Sequence, residues 1–135
     1  VRIALENVAI EKACARMSEE EMSRLWLAAK EFEHTITEGN LVKLAEADVA
    51  FHEIIYQASD NKRLIQVLNN MREQIYRYRV EYLKREEAYP QLIAEHAAII
   101  EYISKGEKKA ATDVMCKHID NQVTTVIDVI RTKQN

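Results

Sequence analysis

The chain predicts an all-α fold, an antiparallel bundle of six helices, and three observations lead there. Only two glycines and one proline occur in 135 residues, too few turn residues for a sheet of many short strands. Ala, Glu, Leu and Lys, which favour helix, are abundant. Apolar residues recur at intervals of three and four rather than two, as on one face of a helix.

Residues 1–16 carry Ile3, Leu5, Val8, Ala9, Ala13 and Ala15 in helical register, closed by Met17. Ser18 and Glu21 form an S-x-x-E capping box that starts a second helix. It runs through Met22, Leu25, Trp26, Ala29 and Phe32 to about 37, where Gly39 and Asn40 supply a left-handed residue and a turn. The third helix, about 41–58, holds Leu44, Ala47, Asp48, Phe51, His52, Ile54 and Ile55 until Ser59, Asp60 and Asn61 break it. The fourth, about 62–84, repeats Leu64, Leu68, Met71, Ile75, Tyr78 and Tyr82 and must cross most of the domain. Pro90 suits the first turn of a fifth helix with Leu92, Ile93, His96, Ile99, Ile100 and Ile103, ended by Lys105 and Gly106. The sixth, about 107–131, sets Ala111, Val114, Met115, His118, Ile119, Gln122, Val126 and Ile130 on one broad face. Joins this short make antiparallel neighbours. There is no internal repeat or low-complexity segment.

A chain 47% hydrophobic and 30% charged is long enough to bury one real core, and nothing suggests two. Nineteen basic against 22 acidic side chains give a formal charge of −3, so this chain alone is not expected to grip a nucleic-acid backbone. Cys14 and Cys116 are isolated, the pattern of reduced intracellular thiols rather than a disulfide framework. No run approaches the roughly 20 apolar residues of a membrane span, and no basic-then-apolar signal opens the chain. A soluble, cytoplasmic protein is expected. Val1 falls directly inside an amphipathic pattern with no initiator Met, and upstream sequence is therefore expected.

Four polar residues interrupt the apolar faces. Asp48 and His52, four apart, project from one side of the third helix. His96 falls in angle between Ile103 and Ile100, and His118 between Val114 and Met115. Imidazoles and a carboxylate inside a helical core are costly unless something binds them. If the third, fifth and sixth helices surround one cavity, the four converge into a donor set suited to Zn²⁺, and also to Ni²⁺, Mn²⁺ or Fe²⁺. The competing view is that each is an ordinary core histidine bonded to nearby backbone. His34, among Glu31, Glu33 and Thr35, reads as solvated. Glu31-x-x-His34 is half of a di-iron motif whose second half does not exist here.

These positions carry a family resemblance. Asp48-x-x-Phe51-His52, followed by Ala58-Ser59-Asp60-Asn61 and Leu64, resembles the D-x-x-F-H…N-x-x-L signature of the FCD domain, the carboxy-terminal ligand-binding domain of GntR-family transcription regulators. Glu95-His96-x-x-Ile99, the run from Ala110 through Met115 to His118-Ile119, and the opening Arg2-x-x-Leu5-Glu6 are similar to the rest of it. Asp60 departs from the pattern, which often has glycine there. The resemblance covers nearly the whole chain. It implies a bundle of six or seven helices with a central metal and effector cavity, in which Asp48, His52, His96 and His118 hold the metal, zinc first, beside a small organic acid. It also implies that residues 1–135 form the effector-sensing and dimerisation domain of a homodimer, with DNA binding left to a winged helix-turn-helix absent from this chain.

Arginine forks complete carboxylate recognition. Arg72 and Arg79, seven apart beside the Leu68, Met71, Ile75 and Tyr78 stripe, are candidates, as is Arg2 from the family-like opening; Arg77 faces solvent. A surface or interhelical ion pair is the plainer role for each. The alternative function is a metal-dependent helical-bundle enzyme acting on a small carboxylate. It needs a general base beside metal-bound water, and Glu95 points about 100° away from His96 on a helix. The expectation is a sensor, not an enzyme.

Overall fold

The computed structural model describes residues 2–134, with the side chains of 129 and 132–134 left aside. Seven α-helices follow one another: α1 Arg2–Arg16, α2 Glu19–Glu38, α3 Leu41–Ala58, α4 Lys62–Asn70, α5 Arg72–Leu83, α6 Tyr89–Ser104 and α7 Lys108–Gln134. A 3-10 turn, Glu86–Ala88, leads into α6, and no strand occurs among the described residues. The all-α bundle is as expected.

Local chemistry sets the boundaries. Ser18 Oγ accepts from the Glu21 amide at 3.1 Å while Glu21 Oε1 accepts from the Ser18 amide at 3.0 Å, closing the capping box over two otherwise unpaired donors. Asn40 and Asn61 cap α3 and α4 by accepting from the amides of Lys43 and Leu64, each at 3.1 Å. Gly39 ends α2 in the left-handed region at φ 68°. Asp60 takes the same region at φ 51°, which explains why glycine suits that position.

One helix differs from expectation. The stretch 62–84 is not continuous: Met71, at φ −97° and ψ 1°, separates α4 from α5. Asn69 and Asn70 precede the break, and their short amides compete with the backbone for hydrogen bonds, so apolar periodicity ran on where the backbone did not.

Packing follows a closed circuit in which α3 touches α2, α2 touches α6, α6 touches α7, α7 touches α5, and α5 returns to α3. The first helix packs on α3, α6 and α7, and Cys116 of α7 donates to Asn7 of α1 at 3.1 Å. Both cysteines are free. Two apolar clusters form, one around Ile10, Phe51, Ile55, Ile99 and Met115, the other around Phe32, Leu44, Leu83 and Leu92. Trp26, placed on the apolar stripe of α2 by its spacing, instead stands 51% exposed with Lys30 Nζ 5.2 Å from its ring. Burying such a side chain fully gives a few kcal/mol; this one stays half-exposed at the rim of a recess between α2 and α6, with Ile93, Ala97 and Ile100 across from it.

Candidate metal centre

Three helices deliver the four polar residues to one point. Asp48 and His52 come from α3, His96 from α6 and His118 from α7, and all four are buried. One ligand atom from each lies within 4.8 Å of the others. Zinc–nitrogen bonds of about 2.0–2.1 Å hold ligand atoms roughly 3–4 Å apart, so a small inward adjustment suffices. Asp48 is 1% exposed. α3 and α6 share few backbone neighbours; the side chains meet across the interior of the circuit.

The atoms that face one another are the ring Nε2 atoms and the carboxylate. His96 Nε2 lies 3.1 Å and His52 Nε2 3.6 Å from Asp48 Oδ1. His118 Nδ1 is taken by Glu95 Oε1 at 3.1 Å, which turns the other ring nitrogen inward. His118 Nε2, both nitrogens of His52 and Asp48 Oδ2 are buried with no hydrogen-bond partner. Unpaired buried polar atoms are rare and costly; two of these, His118 Nε2 and His52 Nε2, lie beside Asp48 Oδ1 and His96 Nε2 as a donor set a cation would use, while His52 Nδ1 and Asp48 Oδ2 turn outward to Glu6 and Arg79. The residues fit a divalent metal. His96 is fixed by packing: Phe51 stacks on it at 4.2 Å and Phe32 meets it edge-on at 4.7 Å.

A second polar group adjoins the first. Tyr56, one turn after His52, donates a short hydrogen bond to Glu6 Oε1 and accepts from Arg79 Nη2 at 3.4 Å. Arg79 Nε lies 3.2 Å from Asp48 Oδ2, and Glu6 Oε2 lies 3.9 Å from His52 Nδ1. Arg2 reaches Glu6 at 3.6 Å and donates from Nη1 to Gln122 Oε1 at 3.3 Å. Burial alone would raise the Asp48 carboxyl, but His52, His96 and Arg79 outweigh it and hold it well below the usual range. Glu6 is likewise held at about 2 against its burial by His52, Arg2 and Arg79. Burial pushes His96 down despite Asp48, favouring the neutral, metal-binding form. Burial and the neighbouring Glu6 push Tyr56 up, keeping it a proton donor.

Of the three candidate arginines the structure brings two to this place. Arg79 is buried and Arg2 nearly so. Arg72 is not there: its side chain is 63% exposed and faces Glu53 at 4.0 Å. Seven residues return to the same helix face but two turns, about 10 Å, along the axis; Arg72 opens α5, whereas Arg79 lies deep in the bundle. Arg72 instead borders, with Glu46, Glu53, Tyr76 and Arg77, a groove of about 840 Å³ between α3 and α5, away from the quartet.

Sequence reasoning passed over Glu6, Tyr56, Glu95 and Gln122. Three had a signal. Tyr56 and Gln122 each lie four residues after a quartet histidine, and Glu6 four after Arg2 on the face of Ala9, Ile10 and Ala13. Glu95 does point away from His96, but toward α7 and His118, a partner no single-helix projection reveals.

The FCD domain model matches residues 1–121 of this chain. The chain belongs to the FCD domain family. Among curated proteins, this FCD domain is similar to the HTH-type transcriptional regulator YdhC of Bacillus subtilis (strain 168), 26% identical over 122 residues, 90% of this chain and 54% of that protein. The chain thus spans about half the length of the curated relative it matches. Among solved structures, McbR/YncC of E. coli superposes with TM-score 0.84 at 12% identity, covering 94% of this chain and 64% of that one. A GntR-family transcriptional regulator from Pseudomonas syringae pv. tomato str. DC3000 gives 0.80 at 16% identity, covering 98% and 55%. At such identities the structures establish the fold. Family and relative together point to a regulator's FCD domain, not to an enzyme, and no helix of the described residues is long and apolar enough to cross a membrane.

Proposed function

We propose that this FCD domain is the effector-sensing and dimerisation part of a GntR-type transcription regulator. In this reading Asp48, His52, His96 and His118 hold a divalent metal, zinc first, and a small organic acid binds beside it. The observation that carries the reading is the buried convergence of four ligand atoms from three helices, two of them, His52 Nε2 and His118 Nε2, without a hydrogen-bond partner. Three imidazoles and one carboxylate suit zinc, and a five- or six-coordinate ion on them has one or two positions for a further ligand. A bound divalent ion supplies a Lewis-acidic position for an anionic oxygen. Glu95 orients His118, Phe32 and Phe51 orient His96, and Arg79 balances the charge of Asp48.

Arg2, with Nε and Nη2 unpartnered, and Gln122, with Nε2 unpartnered, offer buried donors to a carboxylate. The acid would favour one packing of α1, α3 and α7, and a homodimer would pass that preference to winged helix-turn-helix domains outside this chain, changing the spacing of two DNA-reading heads. Metal analysis of protein purified without an affinity tag, with thermal unfolding before and after chelator, tests the first half. Stoichiometric zinc and a lower midpoint after chelation are expected. No stoichiometric metal and an unchanged midpoint would sink it. Calorimetry of zinc-loaded protein with small carboxylates tests the sensing half, which falls if none binds.

A further inference from the structure

The groove between α3 and α5 has two sides of opposite charge. On α3 its side is Glu46, Val49, Ala50 and Glu53, one helix face by their spacing. On α5 it is Arg72, Tyr76 and Arg77, with Glu73 leaving that side net positive. Glu46, Arg72 and Arg77 are exposed, and Val49, Ala50 and the ring of Tyr76 give the floor apolar surface. Among the described residues one ion pair crosses the groove, Arg72 Nη2 to Glu53 Oε1 at 4.0 Å, the outer limit of such a contact.

A surface with an acidic side, a basic side and an apolar floor is complementary to itself. A two-fold axis laid along the groove sets the α3 side of each copy against the α5 side of the other; an axis across it would set acid on acid. Arg72 opens α5 and stands beside Glu53, late in α3, so the helices run antiparallel and Arg77 comes toward the level of Glu46. The first axis therefore pairs Glu53 with Arg72 and Glu46 with Arg77, each twice.

We propose that a second copy of this chain docks in this groove, forming an isologous dimer through those ion pairs around Val49, Ala50 and Tyr76. This rests on the dimerisation half of the reading above and names the face. Exposed ion pairs contribute little affinity singly; they fix the register while the apolar floor contributes the binding. The recess beside Trp26 has no such pattern, since Lys30 and Glu33 on its rim pair with each other at 3.6 Å. Buried on the same two helices are Asp48 and His52 of α3 and Arg79 of α5. The contact thus lies one helix thickness from the quartet, and a change in how α3 and α5 pack reaches the second copy directly.

The test is sedimentation velocity of the chain over a wide concentration range, with circular dichroism to confirm folding. The unaltered chain is expected at about twice its 15.7 kDa. Arg77→Glu and Glu46→Lys, both at exposed positions, are each expected to weaken the dimer roughly 10–100-fold, because each sets like charges opposite one another at two places. Mixed in equal amounts, the two variants are expected to dimerise again, since every pair in the mixed dimer joins opposite charges. Should one variant fail to fold, the other still decides. A dimer that either folded variant leaves unweakened overturns the groove as the contact and leaves dimerisation standing. Weakening in both that mixing does not reverse overturns the pairing. An unaltered chain that stays at 15.7 kDa at every concentration overturns both this inference and the dimerisation reading beneath it.

Discussion

The two edges of the Asp/His quartet are built from the same chemical parts and finished differently. On the α6–α7 edge, His118 meets the Glu95 carboxylate at 3.1 Å and the neighbouring His96 is held between two phenyl rings. On the α1 edge, His52 again has a carboxylate beside it, but Glu6 Oε2 stands 3.9 Å from Nδ1, beyond hydrogen-bond length. Arg2 and Gln122 on that edge also keep free donors. A histidine with its outer nitrogen fixed is a rigid ligand; a cluster with spare donors is a surface for something else. Under the function proposed above, the first edge would hold the metal and the second would face the effector.

Four changes break or sharpen that contrast, in falling order of effect. His118→Ala should remove the rigid edge outright and reduce zinc from stoichiometric to background in elemental analysis. Arg79→Met leaves Asp48 buried without its guanidinium and should cost about 3–5 kcal/mol in urea unfolding of metal-free protein. The loss should be smaller with zinc bound, since the metal also balances Asp48. Glu95→Gln keeps the shape of the rigid edge but weakens its orienting bond. Zinc affinity, measured by competition with a chromophoric chelator, should fall about 10–100-fold. Asp60→Gly lies outside both edges and relieves a left-handed backbone, so it should raise stability by about 0.5–1 kcal/mol and alter neither zinc nor acid binding. A change in zinc affinity there would show that the turn after α3 also sets the site.

The helices were legible because capping chemistry and apolar spacing are local. Ser18 with Glu21, Asn40, Gly39 and Pro90 each marked an end that the backbone respects. The break at Met71 was not legible: Leu64, Leu68, Met71 and Ile75 keep helical spacing through it, and periodicity is indifferent to one residue leaving the α region. The quartet was visible because polar residues on apolar faces are anomalous, and Arg79 and Arg2 because arginine beside them has an evident use. Arg72 was misplaced, since angular position on a helix says nothing about depth along it. Glu95 was obscured for the complementary reason: its importance lies in facing His118 of α7, and that is a property of the packing circuit rather than of any one segment.

His96 has no hydrogen-bonding partner for Nδ1, so apart from the contact of Nε2 with Asp48 its orientation comes from the rings of Phe32 and Phe51. Its torsional freedom is lost when the core assembles, and the ordering of about 0.5–1.5 kcal/mol that a mobile side chain would impose on ligand capture is absent from the binding step. Imidazole rotation should therefore be as slow in the metal-free protein as in the loaded one. Two hydrocarbon rings, neither able to touch a metal, thus help to decide how readily one is taken up.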